Sequence, residues 1–198
     1  MTAEPIEAPS GAAPPRAWTV DDLEALPEDG CRRELIDGVL HVSPSPGNNH
    51  QIVAMRLGVS LEEGCPAECQ VTQGVDVRIN HRRQFVPDVL VTTDEAARRT
   101  QRPFEAREVI LAVEIVSPTS QAMDRILKPA LYAQAGIPFY WRIEVTDRLS
   151  VHAYKAAPSG DVYTHVGEFT EVIELAEPWP ITIPVSRLTP RHLPPAAE

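Results

Sequence analysis

The stretch VILAVEIVSPTSQAMDRILKP, residues 109–129, decides how this chain is read. From Val109 to Val116 every residue but one is apolar, and a continuous apolar run of that length predicts a strand buried on both faces. The exception is Glu114. An unpaired charge in a low-dielectric interior costs several kcal/mol, so Glu114 needs a partner, a proton or a cation. Further on, Met123, Ile126, Leu127, Ala130, Leu131 and Ala135 keep helical spacing up to Gly136. A central strand followed by a helix is the expectation, with Lys128 on the helix.

Working outward, TVDDLEALPED (19–29) reads as a short helix capped by Thr19, with Asp21 and Asp22 in its first turn and Pro27 ending it. RRELIDGVLHVSP (32–44) reads as a hairpin turning at Asp37-Gly38, with Glu34 on its first arm. In HQIVAMRLGVSLEEG (50–64), Ile52, Val53, Met55, Leu57, Val59 and Leu61 predict a long helix closed by Gly64. QVTQGVDVRI (70–79) alternates as one strand, and FVPDVLVT (85–92) follows NHRRQ as its hairpin partner. PFYWRIEVT (138–146) and SVHAYKA (150–156) predict strands joined at Asp147 and Arg148, and VYTHVGEFTEVIEL (162–175) adds one or two more. The order of elements implies an α/β or α+β fold, a central mixed sheet flanked by helices. One domain is expected over 17–190, between a Pro/Ala-rich disordered tail at 1–16 and a flexible tail at 191–198.

Composition narrows the function. Acidic residues outnumber basic ones 28 to 18, and a net charge of -10 argues against a sequence-blind nucleic-acid binder, although a local basic patch remains compatible with it. No apolar run reaches the length of a bilayer crossing, and the first residues lack the basic and apolar regions of a secretory leader. Three cysteines, Cys31, Cys65 and Cys69, suit a reducing cytoplasm. Cys65 and Cys69 have no second Cys/His pair at zinc-site spacing, which leaves them as small apolar packing residues.

Four polar residues fall at or beside strand and helix ends: Glu34, Asp88 after Pro87, Glu114 and Lys128. Two carboxylates on adjacent strands with a lysine beside them make a hard oxygen site for Mg²⁺ or Mn²⁺, and such a site suits phosphodiester hydrolysis. Packing alone offers other roles. Asp88 can cap a turn, Glu114 can pair with Arg142, Lys128 can be a solvated helix residue, and His50 can be an N-terminal helix residue near Asn48. Asp124 stands four residues before Lys128, at ion-pair spacing. Tyr140 and Trp141 read as core residues. Arg82, Arg83, Arg98, Arg99 and Arg102 would supply phosphate contacts if they gathered on the rim of the Asp88/Glu114 cleft.

The order PD in FVPDVLV, an acid in VEIVSP, then a D-x-x-x-K helix with Tyr132 and AGIPFYW, resembles the Uma family of restriction-endonuclease-type proteins. ELIDGVLHVSPSP and His50 resemble it as well, so the likeness runs from about Trp18 to about Tyr154. It implies a PD-(D/E)XK nuclease core in which Asp88 and Glu114 hold the metal, Lys128 is the catalytic lysine, and Glu34 and His50 line the site. It further implies DNA as substrate, with a homodimer suited to cutting both strands. Two alternatives remain: an inactive nuclease-fold binding or regulatory module, and a metal-dependent hydrolase of another phosphate ester. The superfold's usual lysine position, two residues after the second acid, is Val116 here. Lys128 on the next helix stands in for it, with Pro129 placing it at a kink or at a helix start.

Overall fold

The computed structural model describes residues 16–27, 29–99, 103–117 and 121–193. Most of the expected N-terminal tail, residues 194–198 of the C-terminal one, and Arg102 lie outside them. The chain opens with α1 (Val20–Glu24), β1 (Arg32–Ile36), β2 (Val39–Ser43), α2 (Asn48–Gly64), β3 (Cys69–Thr72), β4 (Val77–Asn80), β5 (Arg83–Phe85) and β6 (Val89–Thr93). It continues through α3 (Asp94–Arg98), β7 (Phe104–Glu105), β8 (Val109–Val116), α4 (Lys128–Gln134), β9 (Phe139–Val145), β10 (Leu149–Ala156), β11 (Tyr163–Phe169), β12 (Val172–Leu175), β13 (Ile181–Pro184) and α5 (Val185–Leu188). The strands form a five-stranded sheet ordered β2-β1-β5-β4-β7, a six-stranded sheet ordered β11-β10-β9-β8-β6-β3, and the pair β12-β13. The fold is mixed α+β, with mixed sheets flanked by helices.

Local chemistry explains the first elements. Thr19 and Asp22 cap α1 reciprocally, the Asp22 N–H donating to Thr19 Oγ1 and the Thr19 N–H to the Asp22 carboxylate. Asp37 and Gly38 turn the β1–β2 hairpin with φ of 52° and 82°, the positive pair of a type I′ turn. A Cβ at Gly38 would stand 2.9 Å from the Ala17 Cβ, so space as well as φ demands glycine there.

β8 lies inside the six-stranded sheet, antiparallel to β6 and parallel to β9. Its alternate residues face opposite sides. Leu111, Val113 and Ile115 pack with Val53, Leu57 and Leu61 of α2, while Ala112 packs with Leu131 and Tyr132 of α4. Cover on both faces is why the run is continuously apolar, and each large side chain buried there contributes about 1.5–3 kcal/mol. Within α2 the buried stripe is Val53, Ala54, Leu57, Gly58, Ser60 and Leu61, whereas Met55 and Val59 are exposed. The expected stripe was too wide by those two. Tyr140 and Trp141 are buried core residues.

Residues 69–93 depart from the expected hairpin. Residues 70–79 are two strands in different sheets, broken at Gly74 (φ 60°): β3 pairs with β6, and β4 pairs with β5. Pro87 and Asp88 form the crossover from β5 in the first sheet to β6 in the second. β13 and α5 were not anticipated, and they extend the core, with Ile181, Ile183, Val185 and Leu188 buried in the cluster that α2 caps. Cys31 is exposed, Cys65 and Cys69 pack at the core's edge, and all three are free thiols. No helix among the described residues is long and apolar enough to cross a membrane.

Candidate active site

The carboxylates converge at the C-terminal end of β8. Asp88 is tied to that strand by its backbone, its N–H donating to the Val113 carbonyl at 3.0 Å, and by its side chain, where Oδ2 accepts the Ile115 N–H at 2.7 Å. The crossover thus holds Asp88 on both sides of residue 114. β1 contributes Glu34, whose Oε1 accepts the Val86 N–H at 2.9 Å. The first turn of α2 contributes His50, whose Nε2 lies 3.0 Å from Asp88 Oδ2.

Lys128 stands where a helix changes register. Met123–Leu127 form a π-helical turn, and the Lys128 N–H closes it on the Met123 carbonyl before α4 begins. Pro129 has no N–H to give, and the same register would have aimed that donor at the Asp124 carbonyl. The Tyr140 hydroxyl donates to that carbonyl instead, at 2.6 Å. Pro129 therefore sits in the first turn of α4, and the helix start points the Lys128 amine inward rather than away. Nζ lies 2.9 Å from Glu34, 3.1 Å from Glu114 and 3.5 Å from Asp124.

Glu114 gathers its compensation from three directions. Oε1 faces Lys128 and accepts the Tyr132 hydroxyl at 2.7 Å, while Oε2 lies 3.8 Å from an Arg32 nitrogen. Arg142, its neighbour in register on β9, pairs with Glu144 at 3.0 Å instead. Arg32 is the residue that sequence reasoning passed over. Its Nη1 donates to Asp88 Oδ1 at 2.5 Å, and its Nη2 donates to the Val86 carbonyl and lies 3.9 Å from Glu34. Strand alternation was the available signal, because residue 32 stands two before Glu34 and shares its face.

Glu34, Asp88, Glu114, Asp124 and Lys128 are all buried, Glu114 to 1% and Lys128 to 3% exposure. Burial raises the Glu114 carboxyl, and Asp88, Asp124 and Glu34 add to it against the pull of Lys128, so it stands pushed up to about 8. Burial also acts on Asp88, but the His50 hydrogen bond, the Arg32 charge and the Ile115 N–H together hold it down at about 2. Burial disfavours a charged Lys128, yet Glu114, Glu34 and Asp124 outweigh it and keep the amine protonated. Tyr132→Phe would withdraw one donor from Glu114 and is expected to cost about 1–3 kcal/mol. At roughly 2–4 °C per kcal/mol for a chain of this size, a thermal melt resolves it.

The cleft of about 440 Å³ over this cluster holds four carboxylates, from Glu34, Asp88, Glu114 and Asp124, against two permanent cations, Arg32 and Lys128. One negative charge is left over while Glu114 keeps its proton and two once it is ionised, and the oxygens are hard donors, so the residue set fits one small divalent cation that would displace that proton. Among the described residues no three His, Cys, Asp or Glu side chains form a ready-made cage. The guanidinium of Arg32 is the cation that Asp88 and Glu114 share here, and an ion held by both would compete with it for Asp88. Arg82, Arg83, Arg98 and Arg99 do not line this cleft. Arg83 pairs with Asp37, Arg98 with Asp94 and Arg99 with Glu108, while Arg82 donates to the Asp37 carbonyl. Ion pairing to near neighbours along the surface overrode the expected rim.

A mixed sheet that carries acids at the end of a central strand, with a lysine from the next helix, defines a nuclease-type fold of the restriction-endonuclease class. The structure of “a putative nuclease belonging to DUF820” from Anabaena variabilis superposes with a TM-score of 0.64, over 86% of this chain and 96% of that one, at 17% identity. At that identity the likeness shows the fold alone. The model of the Uma2 family, described as “Putative restriction endonuclease”, matches residues 20–186, and the chain belongs to that family. The match reaches β12, β13 and α5, beyond the stretch in which the resemblance was legible. No curated protein matches the chain. Family and fold together support a nuclease-like function.

Proposed function

We propose that the protein is a divalent-cation-dependent endonuclease that hydrolyses DNA phosphodiester bonds. The observation that carries this reading is the Lys128 amine, buried and within 3.1 Å of both Glu34 and Glu114, at the strand end where Asp88 is fixed. Asp88 and Glu114 would hold Mg²⁺ or Mn²⁺, which when bound supplies Lewis-acid polarisation of a phosphoryl oxygen and a more acidic water. Lys128 stays protonated, so its role is to orient the attacking water and to stabilise negative charge developing on the phosphate. Glu34 fixes the lysine's position. His50 and the Ile115 N–H orient Asp88. A homodimer would present two such clefts to the two strands of a duplex.

Plasmid nicking in Mg²⁺ or Mn²⁺ tests the reading on the natural chain, Asp88→Ala and Lys128→Ala. Activity in the natural chain that falls at least about a hundredfold in both variants supports it, since a positioned charge at the reacting phosphate is worth that much. Equal nicking by all three overturns it. Metal binding is read separately by thermal shift: saturation at about a hundredfold over Kd stabilises by about 2.7 kcal/mol. Glu114→Gln should lose that gain.

A further inference from the structure

A second cleft, of about 640 Å³, opens beside α2 and α5 and contains four arginines, Arg56, Arg148, Arg187 and Arg191. Glu171 is the one carboxylate-bearing residue lining it. In a chain of net charge -10 with 18 basic residues, four guanidinium groups around one groove are a local reversal of sign. Arg56 is held in place by donating to the Thr189 carbonyl, and Arg187 pairs with Glu63 at 2.9 Å. Arg148 and Arg191 are exposed, and among the described residues neither has an ionic partner. Two unpaired guanidiniums flanked by two anchored ones form a surface short of anions.

It lies on the α2-covered face of the six-stranded sheet, where Leu149 and Val185 join the core of Leu111, Val113 and Ile115. β8 and β9 run parallel, with Val116 opposite Glu144, so the β9–β10 turn that carries Arg148 leaves the sheet at the end where β8 delivers Glu114. α2 begins beside Asp88 through His50 and carries Arg56 six residues later, about 9 Å along the axis and about a third of a turn around it.

We infer that this groove binds the phosphate backbone of duplex DNA flanking the scissile bond. The inference rests on the proposed nuclease reading for its substrate, and it names where that substrate is held. The groove is too large and its arginines too many for one free phosphate, whereas successive phosphates of a strand suit planar guanidinium groups. Leu149, Val185 and Leu193 give it an apolar floor for sugars. It also accounts for how an acidic protein engages a polyanion: through one local patch.

The test is fluorescence anisotropy of a labelled 30-base-pair duplex in EDTA, where no cleavage occurs, between 50 and 200 mM KCl. It compares the full chain with Arg148→Glu/Arg191→Glu, in which neither altered side chain makes a hydrogen bond or ion pair among the described residues. The expected result is at least a tenfold loss of affinity at 50 mM KCl and a salt slope shallower by about two, since each phosphate contact contributes about 0.9. Arg148→Gln/Arg191→Gln, should the reversed pair fail to fold, is expected to show the same change of slope. Unchanged affinity and slope overturn the groove while leaving metal-dependent nicking, and hence the nuclease reading, intact. Groove-dependent binding by a chain that nicks no plasmid leaves the groove standing and removes the catalytic reading. No binding by the natural chain at 50 mM KCl overturns the groove.

Discussion

Replacing Lys128 with methionine is expected to lower stability by about 3–5 kcal/mol, although the new side chain is similar in length and apolar. Removing one partner of a buried ion pair leaves the other charge uncompensated. Here three carboxylates, from Glu34, Glu114 and Asp124, lie within 3.5 Å of the amine and lose their shared cation together. At roughly 2–4 °C per kcal/mol the melting temperature should fall by at least 6 °C. A double-variant cycle isolates the cause: Lys128→Met with Glu34→Gln should be more stable than Lys128→Met alone, because one of the orphaned charges is gone. Additive losses would show that the amine is not what compensates Glu34. Nicking should be lost in both, since neither retains the ammonium.

Arg32→Met is expected to move two measurements in opposite directions. In the metal-free protein it strips Asp88 Oδ1 of its guanidinium partner, a charge-assisted hydrogen bond worth about 1.5–3 kcal/mol. The metal-free melting temperature should fall. Divalent-cation affinity should rise, because in the natural chain an ion held by Asp88 and Glu114 would compete with that guanidinium for Asp88. The avoided cost corresponds to roughly ten- to a hundredfold in Kd for Mn²⁺, at 1.4 kcal/mol per tenfold, measured by calorimetry without DNA. Weaker Mn²⁺ binding in the variant would mean that Arg32 helps to hold the ion's ligands and does not compete with the ion.

The two predictions separate the two cations of the cleft. Lys128 touches Glu34 and Glu114 at hydrogen-bond distance and is wholly enclosed, whereas Arg32 reaches Asp88 from the more open side, with its side chain 21% exposed. Lys128 is thus the permanent counter-charge. Arg32 is the one with room to leave.

Much of this was written locally in the chain. The double-faced strand at residues 109–116, the helix at 48–64, the Thr19 cap and the Asp37-Gly38 turn follow from short-range periodicity and backbone preferences, and those act over a few residues regardless of what lies opposite. The awkwardness of Glu114 was legible too, because a charge in an apolar run must be compensated whatever the partner. The identity of its partners was not. Arg32 meets Asp88 across 56 residues and Lys128 meets Glu34 across 94 positions of numbering, and no periodicity links them. The break of residues 70–79 into two sheets, the capture of Arg83 by Asp37, and the gathering of Arg56, Arg148, Arg187 and Arg191 around one groove were likewise settled only when distant segments packed. Secondary structure reflects backbone and side-chain preferences that each residue carries with it. Electrostatic neighbourhood depends on distances through space, and the chain acquires those only by folding.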